Sequence, residues 1–362
     1  MRRIAASLAV ATLLLGSVAA CGDDSDDGSS QGSLKVSGAF GTVPQVDIDA
    51  PYAVDETEVK VITEGDGDEI AKDSSAFLNI FIANGYNGKV VDSAWPIPED
   101  ESATESPSAT PSESPSAAPS ATPSQTPSGD TDAADGESEA PAADEQVEGN
   151  PTLVTLTSET IKAINKAVVG HTVGSRVVVS ANADDAFGLG GAELGIGNED
   201  TTVFVIDIVG SVLDKVDTST AVAPQGMPTV VEADGKATGL DFSKAPKKPA
   251  PGLQVVTLVE GDGAKAEKGS QVALRYLGQV WGAKKAFDEN YTASSPTVAG
   301  NPLTLGVGSV IKGWDQGLEG VTAGSRVLLV IPAALGYGAE GKGEDIKGGD
   351  TLTFVVDVLG VA

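Results

Sequence analysis

Apolar and polar residues alternate most regularly near the end of the chain. Between positions 351 and 358 every second residue is apolar, from Leu352 to Val358, which predicts a β-strand covered on one face. Two bounded apolar runs, 272–277 and 326–331, also predict strands. Between these runs Ile311, Trp314 and Leu318 recur at helical spacing, so we expect one short helix there. A short helix against a largely antiparallel sheet is an α+β arrangement.

This C-terminal pattern occurs twice in the chain. The sequence Gly-Ser-Arg-Val stands at 324–327 and again at 174–177, and Phe354 and Phe204 are likewise 150 positions apart. Upstream the separation is 196, because Glu-Gly-Asp-Gly stands at 260–263 and at 64–67. The difference of 46 is about the size of a block rich in Ser, Pro, Ala and Thr. We therefore interpret this block, 97–149, as an insertion in a loop of the first copy, since loop closure entropy grows slowly with length.

The inserted block cannot form a core of its own. From Glu99 to Glu148 it has no aromatic residue, no Lys and no Arg, and Ser-Pro and Thr-Pro steps recur. Such a segment buries too little apolar surface to offset an ordering cost of roughly 1–2 kcal/mol per residue, so disorder is predicted. A plain spacer and a glycosylated or wall-spanning stalk both fit this composition.

The N-terminus is predicted to direct export. Arg2 and Arg3 precede a short apolar run that ends in Val18-Ala19-Ala20-Cys21, as in a secretory signal peptide, and the run is short for a membrane-spanning helix. The last four residues resemble a bacterial lipobox, which implies lipidation of Cys21, the only cysteine. An ordinary signal with a chance Cys is the alternative. We expect an extracytoplasmic protein anchored to the cell membrane by lipid, with a polar tether at 21–32.

Composition excludes several other classes of function. With a formal net charge of −29, nucleic acid is an unfavourable partner, because phosphate binding needs clustered Lys and Arg. A single cysteine excludes disulfides and cysteine-based metal sites. The only histidine, His171, is predicted to be a surface residue without acid–base partners. We therefore predict neither cofactor nor metal, and the oligomeric state stays open.

The second copy carries a set of aromatic residues in a chain with only 4% of them. Phe287-Asp288, the run from Val310 to Leu318 with Ile-Lys-Gly-Trp at its centre, Tyr337-Gly338 and Phe354 resemble the FKBP-type peptidyl-prolyl cis-trans isomerases. The resemblance covers residues 253–362. It implies an antiparallel sheet curved around a short helix, an apolar pocket between them, and acceleration of X-Pro isomerisation in proline-containing polypeptides without covalent catalysis.

Further implications of the resemblance concern single residues. The pocket floor would be Trp314, and Asp288 would be an orienting polar group at the wall. The chain has Pro302-Leu303-Thr304-Leu305 ahead of the helix, where many members have aromatics, so that wall should be aliphatic. The backbone at Tyr337 and Ile311 would hold the substrate. The implied catalytic residues are Tyr276, Phe287, Asp288, Trp314, Tyr337 and Phe354, and the implied substrate-binding residues are Val310, Ile311 and Ile346.

The first copy has lost most of these aromatic residues. At the two offsets Ile80 replaces Tyr276, Val91 replaces Phe287 and Ile164 replaces Trp314, whereas Asp92 and Phe204 are kept. We expect this copy to fold alike but to isomerise poorly. Two functions remain in competition: an isomerase that assists exported proteins, and a chaperone or scaffold that binds clients without turnover. The predicted domains are a signal peptide (1–20), a tether (21–32), a degenerate first domain (33–213), a linker (214–251) and an isomerase domain (252–362).

Overall fold

The computed structural model describes residues 32–96, 149–222, 224–298 and 300–362. Cys21, the signal peptide, nearly all of the tether and all but Gly149 of the inserted block lie outside these ranges, so the predictions for them are not tested. The elements of the first half are β1 (Ser33–Ser37), β2 (Gln45–Asp49), β3 (Glu58–Thr63), β4 (Ser75–Asn84), β5 (Val90–Ser93), β6 (Thr152–Thr155), α1 (Lys162–Val168), β7 (Arg176–Ala181) and β8 (Thr202–Val212). Those of the second half are β9 (Thr229–Ala233), β10 (Lys236–Asp241), β11 (Gln254–Val259), β12 (Gln271–Val280), β13 (Ala286–Glu289), β14 (Leu303–Thr304), α2 (Lys312–Leu318), β15 (Arg326–Ile331), β16 (Gly341–Lys342), β17 (Ile346–Lys347) and β18 (Leu352–Val361). Short 3-10 helices occur at Gly188–Leu194, Thr218–Thr220 and Ala333–Leu335.

Each half of the protein forms a six-stranded antiparallel sheet of the same topology. The strand order is β3-β7-β8-β4-β5 in the first sheet and β11-β15-β18-β12-β13 in the second, with β6 and β14 pairing to β4 and β12. The register is also shared, because Ile82 pairs with Phe204 and Gly278 pairs with Phe354. One short helix packs on the inner face of each sheet. The predicted α+β class, with a curved antiparallel sheet around a short helix, is confirmed.

Strand β18 departs from the sequence prediction because both of its faces are buried. Phe354, Val356 and Val358 pack with the helix side of the sheet, as the alternation predicted. Val355 contributes to a second core on the other face, where the β9–β10 hairpin supplies Leu240 and Ala237. The prediction of a one-sided strand is therefore wrong, since a further layer covers the face that would otherwise meet solvent.

That hairpin lies inside 214–251, the segment predicted to be a linker. Strands β9 and β10 pair antiparallel and pack on Leu277, Leu328 and Val355 of the second sheet. The first sheet has an equivalent cover, because β1 and β2 pack on Phe81, Val178 and Val205. The linker prediction is wrong for this hairpin. The run of alternating residues in β9 is short, and only the underlying apolar sheet face makes the hairpin a structural layer.

A buried ion pair lies under each hairpin. The Arg176 guanidinium binds Asp207, and Arg326 binds Asp357 with an Nη2–Oδ2 distance of 2.7 Å. Each arginine also reaches its hairpin region, Arg176 through the Thr42 carbonyl and Arg326 through the Glu232 carboxylate. Each buried charge faces an opposite one, as burial requires, although Arg176 Nη1 has no hydrogen-bond partner among the described residues.

Close packing of the helix on the sheet explains why glycines differ between the copies. A Cβ on Gly313 would lie 2.4 Å from the Ile331 side chain, so a larger residue does not fit there. The first copy has Ala163 at the equivalent helix position, and its strand has Ala181 where the second has Ile331. The volume gained on the helix is thus offset by volume lost on the strand, as close packing requires.

One detail refines the sequence comparison. The Leu156 amide donates to the Ser74 carbonyl, and the Leu305 amide donates to the Ser270 carbonyl. These equivalent hydrogen bonds make the two leucines counterparts, 149 positions apart. The offset of 150 therefore starts only in the loop just ahead of the helix.

The surface prediction for His171 is wrong, because the residue is half-buried and its Nδ1 is buried without a partner among the described residues. Within the described ranges, the structure has no helix long and apolar enough to cross a membrane.

Candidate functional site

A cavity of about 770 Å³ opens between α2 and the inner face of the second sheet. Strands β12, β13 and β18 supply its aromatic walls, and the loop after β13 supplies a polar rim. Eight of the nine residues predicted from the sequence line it: Tyr276, Phe287, Asp288, Val310, Ile311, Trp314, Tyr337 and Phe354.

Phe354 lies at the centre of the aromatic cluster. Its ring is 5.2 Å from that of Trp314 and 5.6 Å from that of Phe287, in both cases nearly perpendicular. Tyr276 packs edge-on against Trp314 with ring centroids 5.1 Å apart. Edge-to-face contacts of this kind stabilise aromatic pairs beyond simple burial. The rings therefore hold one another in place and keep the apolar surface of the cavity rigid.

Gly278 makes room for this cluster. A Cβ at this position would lie 2.5 Å from Phe354 Cε1 and 2.7 Å from Phe287 Cζ. In β12 the missing side chain lets two rings approach the backbone, a known use of glycine in strands. The first copy has Ile82 at this position and Val91 in place of Phe287, so an aliphatic side chain fills the space of a ring.

The only ionised side chain among the predicted residues is that of Asp288, which is exposed at the rim. The Tyr276 hydroxyl donates a hydrogen bond to Asp288 Oδ2 at 2.8 Å. Burial, and then this bond to a carboxylate, raise the pKa of Tyr276 well above its ordinary value. The phenol thus stays protonated at every physiological pH and keeps the carboxylate oriented.

Helix α2 sets the position of the cavity floor. It begins at Lys312 after an extended Ile311, and it buries Trp314 on the same face as Gly313, Gly317 and Leu318. Asp315 fixes the approach to the helix, because its Oδ1 accepts from the Gly306 amide at 2.8 Å. Trp314 Nε1 is buried and has no partner among the described residues. The floor therefore offers one unused hydrogen-bond donor beneath an apolar surface.

Sequence reasoning missed the loop that walls the cavity. Asn290, Ala293, Ser294, Ser295, Thr297, Val298 and Gly300 all line it. Arg275 holds this loop by donating to the carbonyls of Asn290, Ala293 and Ser295. The Asn290 side chain accepts from the Tyr276 amide and donates to the Leu274 and Thr297 carbonyls. The loop has no periodic pattern, and the pairing of Arg275 with it is not visible in the sequence.

Other sequence predictions are corrected or extended by the structure. Ile346, predicted to bind substrate, does not line the cavity and is buried in the core beside it. Leu303 and Leu305, expected to form an aliphatic wall, are also core residues. The cavity lining also includes Lys342, whose ammonium group lies 4.9 Å from the Tyr337 ring centroid. Short strands at the edge determine which of these side chains face the opening, and short strands carry little sequence signal.

The equivalent position of the first domain has a smaller cavity of about 320 Å³. Ile80, Ile82 and Ile164 line it together with Asp92, so the aromatic walls are replaced by aliphatic ones as the repeat comparison predicted. Phe204 is kept in the core, 5.9 Å from Phe187. The first cavity thus lacks the ring cluster of the second.

The second cavity can bind an apolar group and orient its polar flanks. The described residues include no cluster of three or more His, Cys, Asp or Glu suited to a metal ion. Fold and cavity together define a sheet-and-helix protein with a rigid aromatic pocket of ligand size, typical of small-molecule or peptide sites.

Comparison with known proteins agrees with this description. The family model of the FKBP-type peptidyl-prolyl cis-trans isomerases matches residues 263–359, which contain all the walls of the second cavity. The FK506-binding protein of Streptomyces anulatus is 38% identical over 115 residues, which are 32% of this chain and 90% of that relative. The FK506-binding protein of Neisseria meningitidis serogroup B is 41% identical over 110 residues, which are 30% of this chain and 96% of that relative. The chain belongs to the FKBP-type peptidyl-prolyl cis-trans isomerase family, and its enzymatic activity is peptidyl-prolyl cis-trans isomerisation.

Proposed function

We propose that the protein isomerises X-Pro bonds of exported polypeptides outside the cytoplasm, and that the cavity of the second domain alone performs this reaction. The observation that carries the proposal is the cluster of Tyr276, Phe287, Trp314 and Phe354 around an open cavity, which the first domain lacks.

The proposed mechanism follows from the chemistry of the amide bond. Rotation has a barrier of about 18–20 kcal/mol because the planar amide is conjugated, and uncatalysed X-Pro exchange takes tens to hundreds of seconds. The twisted amide has lost conjugation and most of its charge separation. An apolar aromatic cavity therefore favours it over the planar ground state, which is catalysis by differential binding.

In this mechanism, polar groups at the rim hold the peptide in place. The Ile311 amide donates no hydrogen bond within the described residues, so it is available to a substrate carbonyl. Asp288, held by the Tyr276 hydroxyl, orients the chain and transfers no proton. The loop fixed by Arg275 and Asn290 supplies the polar wall along which the residues flanking proline lie.

A comparison of matched variants tests the proposal in the full chain. Trp314→Ile gives the second cavity the residue that the first has at Ile164, and we expect kcat/KM for a proline tetrapeptide to fall at least tenfold. Ile164→Ala at the equivalent place should leave the rate unchanged. Full activity in Trp314→Ile would refute the assignment. Suppression of client aggregation that survives without any rate acceleration would favour the chaperone alternative.

Lipid anchoring is a separate part of the proposal. It is supported by Val18-Ala19-Ala20-Cys21 after an apolar run. Replacing Cys21 with Ser should shift the protein from the membrane fraction to the soluble extracytoplasmic fraction. Retention of the variant in the membrane fraction would contradict a lipid anchor at this cysteine.

A further inference from the structure

The first domain keeps a cavity that the reaction proposed for the second domain does not use. Its volume is about 320 Å³, and Asp92 is its one charged lining residue. The apolar part of the lining is Ile80, Ile82, Ala94 and Ile164, and the uncharged polar part is Ser93, Asn150 and Thr152. A cavity of this size accommodates a small ring or a branched aliphatic group. The apolar part of the lining therefore suits proline or aliphatic side chains, and none of the described lining residues is aromatic.

The inserted block begins and ends at the rim of this cavity. Ala94 and Asn150 both line it, and the Asn150 amide donates to the Ala94 carbonyl at 2.9 Å. This hydrogen bond joins the two residues between which the block lies in the chain. In the second domain the equivalent connection between β13 and β14 forms the polar wall of the larger cavity. The insertion thus stands in the chain where the second domain has the segment that walls its cavity.

The composition of the block matches the cavity. Between positions 106 and 128 every fourth residue is a proline, the residues between are mostly Ser, Ala and Thr, and Glu113 is the only charged residue. The flanking stretches are acidic and would be repelled by Asp92. Those six prolines are Pro107, Pro111, Pro115, Pro119, Pro123 and Pro127.

We propose that the cavity of the first domain is a docking site for residues 106–128 of the same chain. The ten residues from 97 to 106 can span up to roughly 33–36 Å, far more than the distance needed to reach a cavity at whose rim the block begins. A tethered ligand reaches effective concentrations of about millimolar, so even weak binding suffices for occupancy. Proline also fixes φ, which lowers the entropy lost on docking. The block then competes with any external chain for this cavity, whereas the second cavity stays open to substrate.

Isoleucine methyl NMR tests the proposal directly, because Ile80, Ile82 and Ile164 report on the first cavity and Ile311 reports on the second. The full chain, labelled at isoleucine δ1 methyls, is compared with a variant of equal length in which the six prolines are replaced by alanine. We expect the signals of Ile80, Ile82 and Ile164 to shift and those of the core residues Ile206 and Ile208 to stay. A synthetic peptide of residues 106–128, added to the variant, should return the shifted signals towards their original positions.

The matched control replaces Pro98 and Pro141, which lie outside the docking run, and should leave all of these signals unchanged. Unchanged signals of Ile80, Ile82 and Ile164 in the six-proline variant would overturn the proposal. A shift confined to Ile311 would overturn it too, because the block would then occupy the second cavity. The chemical shifts of these isoleucine methyl groups do not depend on isomerase activity, so failure of this proposal leaves the proposed function intact.

Discussion

Gly278 gives the sharpest test of how the aromatic cavity is built. Replacing it with isoleucine, the residue of the first copy, places a Cβ 2.5 Å from Phe354 and 2.7 Å from Phe287, where ordinary contacts are 3.4–4 Å. Both rings must therefore move by about 1 Å, and overpacking of this kind costs about 1–3 kcal/mol. We expect Gly278→Ile to lower the free energy of unfolding by that amount and to reduce kcat/KM at least tenfold.

The second half of this test is a rescue. Phe287→Val recreates the first copy's pair of Ile82 and Val91, so the double variant should regain most of the lost stability, because the added side chain then occupies the vacated space. Its activity should stay low, since a wall of the cavity is now aliphatic. Urea denaturation gives the stability, and a proline tetrapeptide assay gives the rate. Full activity in Gly278→Ile, or strictly additive losses of stability in the double variant, would refute the reasoning.

Three further changes should have separable effects. Arg326→Met leaves Asp357 buried and unpaired and should lower the free energy of unfolding, measured by urea denaturation, by about 3–5 kcal/mol. Adding Asp357→Leu should recover much of this loss. A loss under about 1 kcal/mol in Arg326→Met would contradict a desolvated pair. Hydrogen bonds from Lys166, Thr57 and Lys162 lower the pKa of Asp185 to about 2, so its stabilising contribution is present above pH 4 and is lost as pH falls through 2. Asp185→Asn should therefore cost up to about 1 kcal/mol at pH 7, given its exposed lysine partners, and the cost should shrink between pH 4 and pH 2 and vanish below pH 2, with Asp184→Asn as the control. Burial raises the pKa of Tyr276, so the folded state keeps a proton that the unfolded state loses above pH 10. The free energy of unfolding should therefore fall as pH rises above 10. If the slope of this fall were undiminished in Tyr276→Phe, the assignment would be contradicted.

Each domain carries its own outer layer, which matters for any shortened form of the protein. A fragment that starts at residue 252 would lack β9 and β10 and would expose Leu277, Leu328 and Val355. It would also leave Arg326 without Glu232. Exposed apolar strands of this kind promote aggregation. Activity is therefore better measured on the full chain or on a fragment that starts before Met227.

The sequence by itself determined the repeat, the helix and most strands, because these features depend on periodicity and on local residue type. The spacing of Ile311, Trp314 and Leu318 predicts the helix, and the shared offset between Phe204 and Phe354 needs no coordinates. The aromatic walls could also be predicted, because the motifs that contain them resemble those of the FKBP-type isomerases. Eight of nine predicted residues line the cavity.

Tertiary structure alone decided which surfaces are covered and which side chains face the opening. Ile346 is as apolar as Ile311, yet one lies in the core and the other at the cavity, because strand pairing at the edge sets their directions. The hairpin on β18 and the loop fixed by Arg275 depend on contacts between segments far apart in the chain. Such contacts leave no local pattern, since burial is a property of the neighbours that the fold brings together.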